Sequence, residues 1–394
     1  MTPLHLTKIE KIQNKTANSG GASKLQCVFG DGTTLWFAFP DFCDGALEDE
    51  LADGFLFSFI AICSRRGQDI KSDVPVDHLT RINLQSLIEL LSNRCPGVYH
   101  HIKIDVPVVE RNRLESSGDW VLASGSCGVD ALHTLWCCEQ FSFVNKPTHL
   151  VFNNTGSNEA GSDPARLLVG RIEKSRSFCE ENGFGFIYVD SNYSEVFQTH
   201  YSLTHLYVNQ AIGHFLGRRA SVYYCSSGGV EGNMLDFSGD PSYGEPVLLP
   251  LLSSSRMMPI HVPGDDIGRY DKIKHIADWA VAQRHLNVCF YTADNCGKCE
   301  KCRRVLMALE CLDKVNDFGK PFKLEQYYQE QDSIFVNLIL DLWEGDKFIR
   351  EMWNDFMPKL KMKHWLLAWR KRLFKWFIHQ RGGVFISRRL GWLK

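Results

Sequence analysis

Trp120-Val121-Leu122-Ala123-Ser124-Gly125-Ser126-Cys127-Gly128-Val129-Asp130-Ala131-Leu132 is the stretch that decides the fold. Trp120 to Ala123 is an apolar run of strand length. From Ala131 to Phe141 the apolar positions Leu132, Leu135, Trp136 and Phe141 recur at helical spacing. Between them lie small residues that favour a tight turn. A strand that breaks on Gly and Ser and resumes as a helix gathers backbone N–H groups at the positive end of a helix dipole, which is an anion site. No lysine follows the loop, so the Walker pattern is absent, and so is the G-x-G-x-x-G pattern of dinucleotide sites. Small-residue turns are also ordinary punctuation, so this loop by itself does not name a ligand.

Downstream segments extend the same plan. Leu150 to Asn154, Phe186 to Asp190 and Ser221 to Cys225 read as strands, and Arg171 to Asn182 reads as a helix. Alternation of this kind predicts an α/β fold with a Rossmann-like parallel sheet. Ligands of such sheets sit at the carboxyl ends of strands, here Ser126–Ala131, Asn153–Gly156 and Ser226–Gly229.

A second motif lies far along the chain. Cys289, Cys296, Cys299 and Cys302 fall within fourteen residues and end in C-x2-C-x2-C. Four thiolates at this spacing can close a tetrahedral shell around Zn2+, with Gly297 free to turn tightly. A full shell leaves no open position, so the predicted metal is structural.

Ser126 to Ala131 resembles the S-G-G-x-D-S pyrophosphate loop of the PP-loop ATP pyrophosphatases. Cys127 stands where that pattern has glycine, and Ala131 where it has the final serine. The loop joined to a downstream C-x(n)-C-x2-C-x2-C resembles 7-cyano-7-deazaguanine synthase (QueC), from about Val121 to Glu310. The resemblance implies ATP-dependent activation of a carboxylate. An acyl-adenylate forms with loss of pyrophosphate, and an amine then displaces AMP to give an amide, which a second round can dehydrate to a nitrile. It implies ATP and Mg2+ at Ser124, Gly125, Ser126, Cys127, Gly128, Val129, Asp130 and Ala131, with Asn153 and Asn154 nearby. Asp130 holds Mg2+ or caps the helix; both roles stay open. Arg269 and Lys272 share one helical face and are candidates to meet phosphate or a carboxylate, as is Arg256; solvated surface charge is the competing reading. His261 and His285 are weaker acid–base candidates. Cys127 invites a nucleophile or sulfur-carrier role, since a helix N-terminus lowers a thiol pKa; the preferred reading is a small-residue replacement.

Residues 1–114 read as a separate α+β unit. Lys24–Phe29 and Thr34–Phe39 form a hairpin about Gly30-Asp31-Gly32, Phe55–Ile62 and Leu84–Leu91 form helices, and His101–Val108 closes as a strand. Glu115–Asp119 is the expected linker to the 120–315 domain. Residues 316–394 are expected as a helical extension with a basic amphipathic end. From Phe356 to Lys394 there are eleven Lys/Arg and no Asp/Glu; the chain totals are 44 and 46, so the remainder carries 33 against 46, a net of −13. The apolar face of that end is expected against the protein's own body, with its cations in solvent. Its possible partners are an anionic membrane surface, a nucleic acid or an acidic protein.

Fourteen cysteines without a leader-like N-terminus suit a reducing, cytoplasmic setting, and no apolar run is long enough to span a membrane. Homologues enlarged in this way occur in bacterial antiphage defence and surface-glycan clusters. The resemblance therefore extends the acceptor from ammonia to a protein or peptide amine, and leaves room for a homo-oligomer. Two rivals stay open: a PP-loop tRNA sulfurtransferase and a non-catalytic nucleotide-binding scaffold.

Overall fold

The computed structural model describes residues 2–14, 22–110, 118–141, 145–156, 163–199, 203–226, 254–255, 258–264 and 267–379. The expected linker residues 115–117, the loop residues 227–229, Arg256 and the tail beyond 379 lie outside them.

The strands are β1 (Leu4–Asn14), β2 (Ala22–Phe29), β3 (Thr34–Pro40), β4 (Ile70–Ser72), β5 (Val76–Asp77), β6 (Ile104–Asp105), β7 (Val108–Val109), β8 (Trp120–Ser124), β9 (His149–Asn154), β10 (Gly185–Ser191), β11 (Ala220–Tyr224) and β12 (Ile260–His261). The helices are α1 (Asp53–Arg66), α2 (His78–Arg94), α3 (Val129–Gln140), α4 (Pro164–Asn182), α5 (Tyr193–Phe197), α6 (His205–Phe215), α7 (Arg269–Ile276), α8 (Ala280–His285), α9 (Glu300–Cys311), α10 (Leu324–Glu344), α11 (Lys347–Phe356) and α12 (Met362–His379).

Ten strands make one mostly parallel sheet in the order β12-β11-β8-β9-β10-β3-β2-β1-β4-β6, and β5 pairs with β7 separately. The five strands from β12 to β10 are parallel to one another. β3 then joins β10 antiparallel through Asp190↔Ala38 and Ser191↔Phe37. Residues 1–114 therefore share a sheet with the loop-bearing half, although the sequence reads as two units there. A two-residue pairing between strands about 150 residues apart leaves no local signal, which is why the join is invisible beforehand.

β8 is buried along Trp120–Ala123 because helices cover both faces of the sheet. Trp120 and Leu122 face a core shared with α1, α2, α6 and the N-terminal hairpin. Val121 and Ala123 face a second core, which holds α3 and α7, the cysteine segment and helices α9 to α11. The first core is rich in aromatics: Phe37 and Phe55 both pack on Phe215. α1 is buried on nearly every side, and Gly54 lets it approach α6 so closely that a Cβ there would sit 2.5 Å from the Phe215 ring. The 316–356 part of the expected extension belongs to the second core, through Phe318, Tyr327, Phe335, Met352 and Phe356.

α12 turns only one edge of its apolar face to the body, through Trp365 and Trp369 against Trp343, and most of that face points outward, contrary to expectation. The rest of its body-facing side carries His364, Ala368, Lys371 and Lys375. Acidic and polar groups of α10 attract that side: His364 Nε2 lies 2.8 Å from Asp332, Lys371 bonds Asn337 at 3.2 Å and Lys375 bonds Glu344 at 3.0 Å. Ala368 is small enough to let the helices touch, and it is fully buried against Val336, Ile339 and Leu340. No helix among the described residues is long and apolar enough to cross a membrane.

Candidate phosphate loop and cysteine knuckle

The chain runs β8–β9–β10 in one direction and then returns to place β11 on the other side of β8. The sheet order therefore reverses between β8 and β11. In parallel α/β sheets the crevice at such a reversal, outside the carboxyl ends of the strands, is where ligands sit. Ser124 ends β8 and Ser226 follows β11, and the Ser226 N–H donates to Ser124 Oγ at 3.4 Å. The Ser226 hydroxyl is buried there without a hydrogen-bond partner.

The loop Gly125–Gly128 leads into α3, whose N-cap is Gly128. Gly125 N–H is tied to Val151 O at 2.9 Å, which fixes the loop's start to β9. The first amide bonded back to the N-cap is Leu132 N–H, to Gly128 O at 2.9 Å, so Val129, Asp130 and Ala131 carry the orphan amides of the helix start. Cys127 has φ +54°, the left-handed region that glycine occupies freely. Its conformation is thus that of the glycine it replaces in the resembled pattern. Its thiol is buried, and burial pushes its pKa up to about 12. The expectation of a lowered thiol pKa from the helix N-terminus fails here because desolvation outweighs the dipole.

Asp130 lies in the first turn of α3 and gathers cations. Arg269 approaches it at 3.2 Å, and Lys272, itself buried, at 3.8 Å. Asp130 Oδ1 is buried without a hydrogen-bond partner and faces this cluster. Both cations ride on α7. The carboxylate of Glu351 on α11 accepts from Tyr270 N–H at 3.4 Å, and Tyr270 Oη donates to Asp355 at 2.7 Å. A Cβ on Gly268 would lie 2.6 Å from the Glu351 carboxylate, so glycine lets the carboxylate come this close. The C-terminal helices thereby position the loop's cations.

Two more cations converge that the sequence reading missed. Lys301, in the first turn of α9, has its pKa lowered by desolvation and then by the charge of Arg269, while Asp130 opposes. Arg171 on α4 donates to Cys289 O at 2.7 Å and to Phe290 O at 3.1 Å. The only sequence signal for Lys301 was its position between two cysteine ligands. The amide groups of Asn153 and Asn154 lie at the carboxyl end of β9 but donate to Asn209 at 2.8 Å and Asp190 at 2.9 Å. They shape the crevice wall. His285 lies 3.4 Å from Glu181, and His261 ends β12. An apolar hollow of about 260 Å3, lined by Leu135, Phe178, Phe184 and Trp279, lies at the far ends of α3 and α4 from the loop.

The four cysteines form a compact knuckle. Their Sγ atoms all lie within 4.8 Å of one another, with Cys289 and Cys299 at 3.9 Å. A tetrahedral Zn–S shell at ~2.3 Å places sulfurs about 3.8 Å apart, so the cluster fits Zn2+. Gly297 adopts φ +70° to turn the C-x2-C loop. The Cys296 sulfur accepts from the Lys298 and Cys299 amides at 3.4 and 3.3 Å. Hydrogen bonds from Cys299 and Cys302 drive Cys289 toward the thiolate, and the same contacts drive Cys302 the other way. A bound cation resolves that conflict by making all four thiolate. Asn295 organises the backbone: Oδ1 accepts from Val288 and Cys289 N–H at 2.8 and 3.1 Å, and Nδ2 donates to Leu286 and Pro321 O at 2.8 and 3.1 Å.

Knuckle and loop touch. Asn287 N–H, two residues before Cys289, donates to Cys127 O at 2.9 Å. In comparisons with family models, curated proteins and solved structures, nothing matches this chain.

Proposed function

We propose that the chain is an ATP-dependent, adenylate-forming C–N ligase that releases AMP and pyrophosphate. The observation that carries this is the convergence of Arg269 and Lys272 on Asp130, with Lys301 within electrostatic reach, at a helix N-terminus that opens on the sheet's switch point. Such a site suits a polyanion whose charge grows as it leaves.

The amides of Val129, Asp130 and Ala131, with Ser126 Oγ, would cradle the β- and γ-phosphates. A substrate carboxylate oxygen attacks the α-phosphorus, and the bond from that phosphorus to the bridging oxygen breaks. The cations stabilise the departing pyrophosphate more strongly as its charge develops. An amine nitrogen then attacks the acyl carbon, loses a proton and expels AMP. Asp130 would hold Mg2+, which when bound supplies positive charge to the leaving phosphates. The knuckle's role is structural: it braces the loop through Asn287. By resemblance the carboxylate is a 7-deazaguanine acid, and the acceptor is ammonia or a protein or peptide amine in a defence setting.

The buried, protonated Cys127 argues against the sulfurtransferase reading, which needs an accessible thiolate near the adenylate. The test uses zinc-loaded protein with ATP, Mg2+ and 7-carboxy-7-deazaguanine, with ammonium or candidate peptides. Small molecules and intact protein are analysed by mass spectrometry. A new amide with one AMP per product, or a nitrile with two, supports the ligase. Turnover indifferent to the deazaguanine keeps the chemistry and discards the substrate. ATP binding without any AMP establishes the scaffold reading instead.

A further inference from the structure

α12 combines two features that a helix docked on its own protein ordinarily separates. At 3.6 residues per turn, Met362, Leu366, Trp369, Leu373 and Trp376 fall within an arc of about 80°. They are 74, 65, 55, 57 and 63% exposed, so this stripe is the outward face of the helix. The opposite side is held to α10 by His364, Ala368, Lys371 and Lys375. Arg370 rims the stripe on one side together with Lys363, which is paired with the half-exposed Asp332 of α10, and Leu367 and Phe374 lie beyond them, both partly exposed. Arg372 rims the other side and lies 5.0 Å from the Trp343 ring.

From Phe356 onward the chain has no acidic residue, while the rest carries a net of −13 by the count above. The outward face is thus apolar and rich in tryptophan at its centre and cationic at its rim, and α12 itself contributes no carboxylate to it. We infer that it is an in-plane docking site for an anionic bilayer surface. Tryptophan and leucine sink to the level of the headgroups and acyl-chain roots, Arg and Lys reach anionic headgroups, and the helix lies flat.

The observations weigh against the other occupants. A nucleic acid calls for outward cations, whereas Lys371 and Lys375 are turned toward Asn337 and Glu344. A second copy would bring Arg370 and Arg372 against their own like, with no acid of α12 to offset them. The inference is independent of the ligase reading, because no residue of the stripe belongs to the loop or the knuckle.

The experiment is flotation of the full zinc-loaded chain with phosphatidylcholine vesicles, either pure or containing about 30 mol% phosphatidylglycerol. The expected result is partition onto the anionic vesicles at least about tenfold above the neutral ones, weakened by high salt. The variant Leu366→Glu/Leu373→Glu should lose that partition and keep its zinc content and melting temperature, since both side chains are exposed. Three results overturn the inference. One is no preference for anionic vesicles by folded protein, with or without binding to RNA. Another is a dimer that the double variant dissolves. The third is vesicle binding that appears only after truncation behind His379, which would mean that the chain's own end covers the stripe.

Discussion

The cysteine knuckle and the candidate phosphate loop differ in how they are assembled. All four knuckle ligands, and the Asn295 that orders their backbone, lie within fourteen consecutive residues. The loop has its amides in one short run, but its charges come from α7 and α9, held in place by α11. The first region is a local chemical unit. The second is a product of the whole second core. A locally built site should fail all at once when one ligand goes, and a distributed site should fail in steps.

The largest effect is expected at the knuckle. Cys302→Ala, or removal of zinc by a chelator, should abolish metal binding and lower the melting temperature by more than about 10 °C. Metal analysis and calorimetry read both. Because Asn287 ties the knuckle to Cys127, phosphate-loop chemistry should go with it. Intact turnover in the metal-free protein would separate the two regions and break the comparison.

Asp130→Asn comes next. It should lower pyrophosphate release by about 100-fold or more, since the carboxylate is the loop's only anchor for a cation. Steady-state kinetics with a thermal melt separates this from unfolding. Lys301→Ala should raise KM for ATP by about tenfold and leave kcat within a few-fold, the graded loss expected of one cation among several.

A smaller effect concerns acid. Burial, then the charges of Lys272 and His275, lowers His133 to about 3 from an ordinary 6.5. Its folded pKa is depressed, so between those values the unfolded chain binds the extra proton. Its contribution is therefore full above about pH 6.5 and is lost as pH falls toward 3. His133→Gln should flatten the acid side of the stability–pH curve, as denaturant titrations at several pH values would register. The smallest effect is at Cys127→Gly: relief of the left-handed backbone opposes loss of a buried thiol, and the net should stay within about 1 kcal/mol.

These regions also explain what was legible in the sequence. The β8–loop–α3 unit and the knuckle could be read because strand, turn, helix and ligand spacing are all local. Arg269 and Lys272 were legible as one helical face, but nothing nearby says that Asp130 is their partner, 139 positions away in the case of Arg269. Lys301 was hidden for the same reason. β1 was missed because Lys8, Glu10 and Lys11 interrupt its apolar alternation on both faces, and its strand form comes from pairing with β2 and β4. The side of α12 that docks was misjudged because its apolar face is the stronger local signal. The acids of α10 that hold the opposite side come from another segment.

The most direct test of the account is carboxylate-dependent exchange of labelled pyrophosphate into ATP, run on the wild type and Asp130→Asn. Reversible adenylate formation predicts exchange that requires both Mg2+ and the carboxylate in the wild type and collapses in the variant. Tight ATP binding with no exchange under any carboxylate tried, and no difference between the two proteins beyond affinity, would contradict it.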